Sequence, residues 1–505
     1  MPSKPRRTCA DKDDLIWEKL DDRIDEWYKS VRANDIYRAV ARFILKYRPG
    51  DVEVMHLALK GAYNIAYRLE YKDGSSVIMR IPIKDAVPFQ DEKVRYEVAT
   101  MRYVAANTTI PVPHVYHYGM AAENPLGLGP FIIMDYIDHH QNLSRALMDP
   151  TRALGKRPIL DPNIDDHRLA SIYAQVADIL LQLDSLRFPR IGSLLEDPAT
   201  GHIEVRGRPL LANMIDLVVH TDMPEEGILP AVDTTYDTAG AWFTALADVH
   251  LAQLVFQRRD AVEDIDDARD KYVARQLFRR AAAGGGFAAD DMPVPGSPAT
   301  LEASEIPEIS LFSEDLRPAN ILLDKDDRIV GVIDWEFAYA APLSFSSCPP
   351  WWLLIEEPES WPVGGISGWQ TVYEPRLQTF LAVLENAEKE KQRVSSTDSP
   401  TGTAVSWAAS LSQRMRASWS SNTWMRNYAA RRSWAFDFLW WKYLDEELFG
   451  PNEDQDHKAR LATLTEDQRN IVEAFVAQKL EEGKDKEITT WEKEDAVVHL
   501  AKYLI

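Results

Sequence analysis

Apolar residues recur at helical spacing within the first fifty positions of the chain. Two sets of them follow this spacing: Trp17, Leu20, Ile24 and Trp27, then Ile36, Val40, Phe43 and Ile44. Because residues three or four positions apart lie on one face of an α-helix, the pattern predicts two amphipathic helices. We therefore expect a helical extension over residues 1–50.

The pattern changes to short β-rich runs after position 50. The runs AYRLEY and SVIMRIP flank an Asp73-Gly74 pair, which is typical of the turn of a β-hairpin. A helical stretch, EKVRYEVATMRYVAAN, comes next and is followed by an apolar strand, FIIMDYI, over residues 131–137. Residues 51–138 are thus expected to form a small lobe with an antiparallel sheet and one helix.

Helical periodicity dominates beyond position 138. Strong helix candidates lie at three places: 166–186, 210–222 and 236–283. The stretches near 281–306 and 385–404 are rich in small, polar or charged residues and are predicted to be loops. Residues 139–450 are expected to form a larger, mainly helical lobe, with an acidic helical tail over 451–505 packed on its rear. The predicted fold class is therefore α+β and bilobal.

The charge balance restricts the partners of the chain. Its 505 residues carry a formal charge of −22, which repels nucleic acid and anionic membranes, so neither is expected as a partner. An acidic surface also simply confers solubility, and both interpretations stay open. Two cysteines, Cys9 and Cys348, are too few for a disulfide framework, and no apolar stretch approaches about 18 residues. These features predict a cytoplasmic protein and leave its oligomeric state open.

One segment, LFSEDLRPANILLDKDDRIVGVIDWEFA over residues 311–338, carries the candidate chemistry. Two β-rich runs joined by a polar turn predict an antiparallel hairpin, which brings Asn320 at its entrance and Asp334 at its exit together. The loop before the hairpin delivers Asp315 to the same place. Two carboxylates and an amide suit Mg²⁺ beside substrate phosphates, and phosphoryl transfer needs a carboxylate that orients the attacking hydroxyl. The segment therefore predicts a phosphoryl-transfer centre.

The spacing D-x4-N, the hairpin and the sequence VIDWE resemble the catalytic loop and metal-binding segment of the aminoglycoside phosphotransferase and choline kinase superfamily. The fold of that superfamily is related to the protein-kinase fold. The resemblance implies a catalytic base at Asp315 and Mg²⁺ ligands at Asn320 and Asp334. It also implies a small-molecule kinase that transfers the γ-phosphate of ATP to a hydroxyl of a metabolite, whose identity the sequence leaves open.

The resemblance extends through the small lobe. Gly61 and Asn64 belong to a segment that resembles the family's phosphate-covering turn, where glycine lets backbone N–H groups approach phosphate oxygens. Arg80 stands where related kinases have a lysine that holds the α- and β-phosphates, so we expect it to bind the nucleotide and to assist catalysis. Glu97 shares the apolar side of its helix, and a buried carboxylate needs a cation, so we predict an Arg80–Glu97 ion pair. A helix rotated so that Glu97 meets water is the alternative.

Three residues of the apolar strand, Met134, Asp135 and Tyr136, resemble the strand that connects the lobes of related kinases. The resemblance implies that their backbone contacts the adenine of the nucleotide. An ordinary buried strand is the alternative interpretation.

Two departures from the family pattern support a rival interpretation. Ser313 stands where the family usually has a histidine that braces the catalytic loop, and Arg80 replaces a lysine. Because serine does not fill the volume of an imidazole ring, a kinase-like module that binds nucleotide without catalysis stays open. A protein kinase is disfavoured, since Asp-Phe-Gly and Ala-Pro-Glu segments are absent from the sequence. We expect Glu314 and Arg317, which flank the base, to face solvent; the alternative for Arg317 is that it orients the loop or contacts a phosphate.

Most of the tryptophans follow position 334. Their helical spacing predicts core residues, and an aromatic cage for a cationic amine is the alternative.

Overall fold

The structure of the chain is a computed structural model that describes residues 13–153, 156–221, 223–287, 308–398, 409–484 and 488–505. The elements of its first part are these: α1 (Asp14–Ser30), α2 (Asn34–Tyr47), β1 (Val52–Met55), β2 (Leu59–Lys60), β3 (Asn64–Tyr71), β4 (Ser76–Pro82), α3 (Gln90–Asn107), β5 (Val115–Gly119) and β6 (Phe131–Asp135). The predicted pair of N-terminal helices and the predicted helix after the hairpin are present.

The strands of this first part form one antiparallel sheet. Its order is β1-β3-β4-β6-β5, with β2 beside β3. The predicted hairpin is β3 and β4, in which Asn64 lies opposite Pro82 and Glu70 opposite Ser76. Gly74 in the turn has a φ of 83°, which is a left-handed backbone that glycine adopts without steric cost.

Helices cover both faces of the sheet. On one face, apolar residues of α2 form a core with the strands, and its members include Val40, Phe43, Tyr67, Met79 and Ile133. On the other face, α3 packs so that its apolar residues join a continuous core that extends into the rest of the chain. The sheet is therefore buried on both sides, and α3 connects it to the large lobe.

The large lobe contains the remaining elements: β7 (Gln141–Asn142), α4 (Leu143–Leu147), α5 (Asp166–Ser185), β8 (Ser193–Glu196), β9 (Ile203–Gly207), α6 (Ala212–Thr221), α7 (Ala239–Phe256), α8 (Ile265–Ala283), β10 (Ile309–Ser313), β11 (Ile321–Leu323), β12 (Ile329–Val332), β13 (Ala338–Pro342), α9 (Leu343–Ser346), α10 (Gly365–Asp398), α11 (Leu411–Ser420), α12 (Thr423–Arg431), α13 (Ser433–Leu439), α14 (Asp445–Phe449), α15 (Glu466–Glu482) and α16 (Lys493–Ala501). The predicted α+β, bilobal class is confirmed, whereas the division of the chain at positions 50, 138 and 450 stays a prediction.

Helix α7 differs from the expectation that no apolar stretch approaches the length of a membrane span. Its 18 residues are long and apolar enough to cross a membrane by length and composition alone. However, 67% of the helix is buried inside the protein, which is the property of a core helix.

The stretch 236–283, predicted as one helix candidate, forms two helices. Between α7 and α8 the backbone turns, and Asp260 has a φ of 56°. Asp264 caps the start of α8 by accepting a hydrogen bond from the N–H of Asp267. The break therefore comes from a side-chain cap that begins a new helix.

The predicted loop near 385–404 is wrong over 385–398, where the chain continues α10. The charged residues of this stretch stabilise the helix, since Lys389 pairs with Glu385 one turn earlier and Arg393 pairs with Glu390. Of the predicted loop near 281–306, residues 281–283 belong to α8, and 288–306 lie outside the described residues, as do 399–404.

The tryptophans of α10 to α12 confirm the core interpretation. Trp369 stacks on Tyr373 at a ring distance of 4.1 Å, and Trp419 stacks on Trp424 at 5.2 Å. Their rings pack against one another within the large lobe.

Candidate active site

The predicted catalytic hairpin is formed by β11 and β12. The strands pair antiparallel with Ile321 opposite Val332, and the N–H of Ile333 donates to the carbonyl oxygen of Asn320 over 2.9 Å. Asn320 and Asp334 therefore lie at the same end of the hairpin, as the sequence predicts.

Asp315 lies beside Asn320. The side-chain Nδ2 of Asn320 donates to the backbone carbonyl of Asp315 over 2.9 Å and to its carboxylate over 2.8 Å. Arg317 is exposed as predicted, but its Nε also lies 2.7 Å from the other carboxylate oxygen of Asp315. Burial raises the pKa of Asp315 to about 6, against the opposing effect of Arg317. The carboxylate is thus oriented from both sides, with a pKa near the range that suits a general base.

A backbone contact ties the loop of Asp315 to the segment after Asp334. Strands β10 and β13 pair so that Ser313 lies opposite Ala338, and the N–H of Glu314 donates to the carbonyl of Phe337 over 3.1 Å. Ser313 is buried at the end of this ladder. The loop is therefore braced by main-chain hydrogen bonds at the position where the family usually has a histidine.

Asp334 faces Arg80 across the cleft between the lobes. The Nη1 of Arg80 donates to the Oδ1 of Asp334 over 2.8 Å, and its Nη2 forms an ion pair with Glu97. Glu97 is buried, so the helix is not rotated toward water. Asp334 has a φ of 67°, a strained backbone for a residue other than glycine, and such strain clusters at functional sites. The predicted Arg80–Glu97 pair is present and holds Asp334 as well.

Two further charged residues, Lys93 and Glu336, were not predicted. Lys93 is fully buried on α3, one turn before Glu97, and its Nζ forms an ion pair with Glu336. Its Nζ also donates to the Oδ1 of Asn64 over 2.8 Å, while the Nδ2 of Asn64 donates to Glu336 over 2.9 Å. The helical spacing that placed Glu97 inward also applies to Lys93, four residues earlier, so the signal was present in the sequence.

The contacts among Lys93, Asn64 and Glu336 limit which polar groups of the turn before β3 a ligand can bind. The side-chain amide of Asn64 is engaged at both ends, by Lys93 and by Glu336. The N–H of Gly61 itself donates to the carbonyl of Asn64 over 2.8 Å. Gly61 and Asn64 both line the cleft.

The connecting strand lines the cleft with Met134, Asp135 and Tyr136. The N–H of Asp135 donates to the carbonyl of His114, and that of Tyr136 donates to the carbonyl of Ser76, both over 3.0 Å. These two donors are therefore engaged inside the small lobe. An adenine in the cleft would meet other backbone groups of this strand.

The cleft has a volume of about 790 Å³. The large lobe contributes one side of this cleft. This side, the large-lobe wall, is formed by Asn213, Glu314, Trp351, Glu357, Arg431 and Arg432. The prediction that Glu314 faces solvent is wrong. Its carboxylate is largely buried and pairs with Arg431 over 3.1 Å. The wall combines an aromatic ring with charges of both signs.

The arrangement fits a hard divalent cation between Asn320 and Asp334. The amide Nδ2 of Asn320 is turned toward Asp315, which leaves its Oδ1 as an acceptor, and Arg80 contacts one oxygen of the Asp334 carboxylate. An amide oxygen and a carboxylate are the few protein ligands that Mg²⁺ uses beside phosphates and water. Among the described residues, no group of three or more His, Cys, Asp or Glu side chains has the geometry to hold a metal alone. The cation would therefore need phosphate oxygens as further ligands.

A small lobe with an antiparallel sheet, a mainly helical lobe and a cleft lined by Asp315, Asp334 and Arg80 are the features of a kinase-like protein. The sequence model described as "Phosphotransferase enzyme family" matches residues 55–346, which is more than half of the chain. The chain therefore belongs to this family.

Curated relatives are more distant. Altered inheritance of mitochondria protein 9 from Clavispora lusitaniae is 22% identical over 321 residues, covering 59% of this chain and 50% of that protein. A subtelomeric hrmA-associated cluster protein from Aspergillus fumigatus is 30% identical over 135 residues, covering 27% of this chain and 23% of that protein. The chain spans half or less of the length of these relatives.

Solved structures that resemble the chain include Plasmodium vivax ethanolamine kinase, with 10% identity, a TM-score of 0.39, and coverage of 96% of this chain and 97% of that one. A macrolide 2′-phosphotransferase from Brachybacterium faecium has 13% identity, a TM-score of 0.34, and coverage of 83% and 99%.

The expectation of a cytoplasmic location is wrong. Several curated relatives, from Clavispora lusitaniae, Meyerozyma guilliermondii and Scheffersomyces stipitis among others, are named mitochondrial proteins. The two cysteines and the acidic charge do not distinguish cytoplasm from other reducing compartments.

Proposed function

We propose that the chain is a kinase that transfers the γ-phosphate of ATP to a hydroxyl of a small molecule. The observation that carries this proposal is that Asp315, Asp334 and Arg80 line one cleft, with Asn320 hydrogen-bonded to Asp315 beside it. Family membership supports the same reaction class.

The chemistry follows from these contacts. Asp315 accepts the proton of the acceptor hydroxyl and aligns its oxygen for attack on the γ-phosphorus, because Asn320 and Arg317 orient its carboxylate. Arg80 stabilises phosphate charge from the small lobe, and Glu97 holds its guanidinium in position. Asn320 and Asp334 would hold Mg²⁺, which supplies charge neutralisation of the phosphates.

The rival proposal is a module that binds nucleotide without transferring phosphate. It is supported by the guanidinium of Arg80, which already lies 2.8 Å from Asp334 and competes with a metal ion for that carboxylate. Ser313 supports it too, since the imidazole usual in the family is replaced by a smaller group.

Two variants separate these proposals. Asp315→Asn should lower turnover by about 10² to 10⁴-fold, because the base is lost, while nucleotide affinity stays near that of the wild type. Asp334→Asn should remove the Mg²⁺ dependence of nucleotide binding. Both are measured as ADP release over a panel of hydroxyl metabolites and as nucleotide affinity with and without Mg²⁺.

Asp326→Asn is a matched control, since Asp326 is exposed in the turn at the far end of the same hairpin. Unchanged turnover in Asp315→Asn would remove the proposed base. Nucleotide binding by the wild type without ADP release for any acceptor would favour the rival.

We further propose a mitochondrial location, which the names of the relatives support. Fractionation of cells that produce the full-length protein tests it, and recovery outside mitochondria would contradict it.

A further inference from the structure

Two adjacent arginines of the large-lobe wall have different surroundings. Arg431, the last residue of α12, is 6% exposed and donates to Glu314 and to the carbonyl of Asn427, each over 3.1 Å. Arg432, the next residue, is 27% exposed, and its closest carboxylate, that of Glu357, is 3.6 Å away. Arg431 thus has two close partners in the fold, whereas Arg432 has only a longer ion pair.

In the described part of the chain, each of the other arginines that line the cleft has a closer ion pair than Arg432. Arg80 pairs with Asp334 at 2.8 Å, Arg317 with Asp315 at 2.7 Å and Arg431 with Glu314 at 3.1 Å. Among the described residues, the guanidinium of Arg432 makes no ion pair shorter than 3.6 Å, and its buried Nε has no hydrogen-bond partner. A guanidinium has five N–H donors, so Arg432 has most of its hydrogen-bonding capacity left.

Against the effect of burial, the carboxylates of Glu357, Glu314 and Glu359 all raise the pKa of Arg432, but each of them also has another partner. Glu357 also lies 3.5 Å from Arg157, which approaches from outside the cleft. Glu359, the next carboxylate along the chain, accepts a hydrogen bond from the hydroxyl of Tyr428 over 2.8 Å and does not line the cleft.

Two aromatic rings lie near Arg432. Its guanidinium lies 5.8 Å from the ring centre of Trp351 and 5.9 Å from that of Tyr428. These are cation–π contacts, which do not use the N–H groups of the guanidinium and so leave them available to an anion.

Arg432 lines the same cleft as Asp315. The residues next to them are in contact, since Glu314 pairs with Arg431 over 3.1 Å. A ligand whose hydroxyl meets Asp315 therefore has Arg432 in the wall of the same cleft.

We infer that Arg432 binds an anionic group of the phosphate acceptor, so that the acceptor is a small hydroxyl compound bearing a carboxylate or a phosphate monoester. Two N–H groups of a guanidinium match two oxygens of either anion. This inference rests on the proposed kinase function.

Binding in the presence of AMP-PNP and Mg²⁺ tests the inference without requiring turnover. The probes are matched sets that share a hydroxyl skeleton, such as glycerate, glycerol 3-phosphate, glycerol and 2-aminoethanol, extended to hydroxy compounds of four to six carbons. At least one anionic member should bind the wild type more tightly than its uncharged and cationic counterparts. Comparison of the carboxylates with the phosphates shows which anion is preferred.

Substitutions of Arg432 and of Glu357 should change the affinity for the anionic probe in opposite directions. Arg432→Gln should weaken binding of the anionic probe by about 10- to 100-fold, as expected for a lost charge-assisted hydrogen bond. Arg432→Lys should restore it in part, since it keeps the charge without the planar fork. Glu357→Gln should strengthen binding several-fold, because it removes the carboxylate that competes for Arg432.

Arg157→Gln is the matched control, because Arg157 contacts the same Glu357 but is 64% exposed and does not line the cleft. Its effect on the anionic probe should be small. AMP-PNP affinity, measured for every variant, checks that each one is folded.

Three results would overturn the inference: equal binding in Arg432→Gln and the wild type, tighter binding of uncharged or cationic probes throughout the sets, or no effect of Glu357→Gln on anion binding. Anion binding that depends on Arg432 without any ADP release would overturn the proposed kinase function and the identification of the bound compound as a phosphate acceptor, while the anion site at Arg432 would stand. ADP release with an uncharged acceptor alone would overturn only the inference.

Discussion

Lys93 shows how one residue connects three parts of the site. Its ammonium is fully buried on α3 and contacts Glu336, two residues after Asp334, and Asn64 in the turn that covers the cleft. Burial lowers the pKa of Lys93, and the carboxylate of Glu336 opposes that effect. A buried charge needs its partner, so the three groups depend on one another for their positions.

Lys93→Met tests this dependence. The change leaves the carboxylate of Glu336 buried without its main cation, so the free energy of unfolding should fall by about 3 kcal/mol, measured by urea denaturation. The double variant Lys93→Met, Glu336→Gln should recover most of that loss, since no unpaired charge remains. A double variant that is less stable than the single one would contradict the account.

Arg317 opposes the effect of burial on the pKa of Asp315. Because Arg317 lowers the pKa of a carboxyl that burial has raised to about 6, Arg317→Gln should raise that pKa further and reduce the ionised fraction near pH 6.5. Carboxyl ¹³C NMR of the metal-free protein measures the change. Arg328→Gln, in the exposed turn of the hairpin, is the control and should leave the pKa of Asp315 where it was.

At the scale of elements, α1 spans the two lobes. Its N-cap residue, Asp13, is fully buried and accepts hydrogen bonds from the guanidinium of Arg259 in the large lobe, over 2.7 and 3.0 Å. Trp17 stacks on His220 of α6 with ring centres 5.4 Å apart. Farther along the helix, Asp25 lies 3.4 Å from Lys60, next to the turn of the small lobe. Both lobes therefore hold this helix.

Asp13→Asn tests the attachment of α1. The amide keeps the size of the side chain and its capacity to cap the helix, but the charge opposite buried Arg259 is lost, at a cost of about 3 kcal/mol. Amide hydrogen exchange in α1 should accelerate more than exchange in the sheet. Asp14→Asn is the control, since Asp14 is exposed and lies 3.7 Å from Arg259, and it should change exchange little. Equal effects of the two variants would contradict the attachment.

At the scale of the whole molecule, the acidic C-terminal segment is part of the large-lobe core. Phe475 of α15 is fully buried, with its ring centre 5.0 Å from that of Tyr272 on α8 and 5.5 Å from that of Tyr503. The ammonium of Lys479, one turn later, donates to the carbonyl of Gln257 over 2.9 Å. The segment was predicted to pack on the rear of the lobe, and these contacts extend across several helices.

Phe475→Ala should therefore destabilise the large lobe. Removing a fully buried ring leaves a cavity and typically costs about 3 to 5 kcal/mol, measured as the free energy of unfolding in urea. Val498→Ala on α16 is the control, because Val498 is 63% exposed, and its effect should stay below about 0.5 kcal/mol. A small effect of Phe475→Ala would mean that α15 is not integral to the lobe.

The local patterns of the sequence were sufficient for the catalytic hairpin. Asp315, Asn320 and Asp334 lie within twenty residues, and the alternation of the two strands dictates that their ends meet. Arg80 and Glu97 were also paired correctly, because helical spacing placed a carboxylate on an apolar side, where only a cation can satisfy it. Charge-rich residues 385–398 were misjudged as a loop, since composition alone ignores the pairing of charges one turn apart on a helix.

The sequence by itself determined the two-lobed class and the hairpin that brings Asn320 and Asp334 together, because both depend on periodicity or spacing within short stretches; the roles of a base and of metal ligands came from the family resemblance and stay predictions. Tertiary structure alone decided that Asn64 meets Glu336, 272 residues away, that Arg431 pairs closely with Glu314 while Arg432 has only a 3.6 Å ion pair, and that α1 is held by both lobes. Those contacts depend on how separate helices and strands pack, and no local pattern along the chain encodes which distant side chain fills a given neighbourhood.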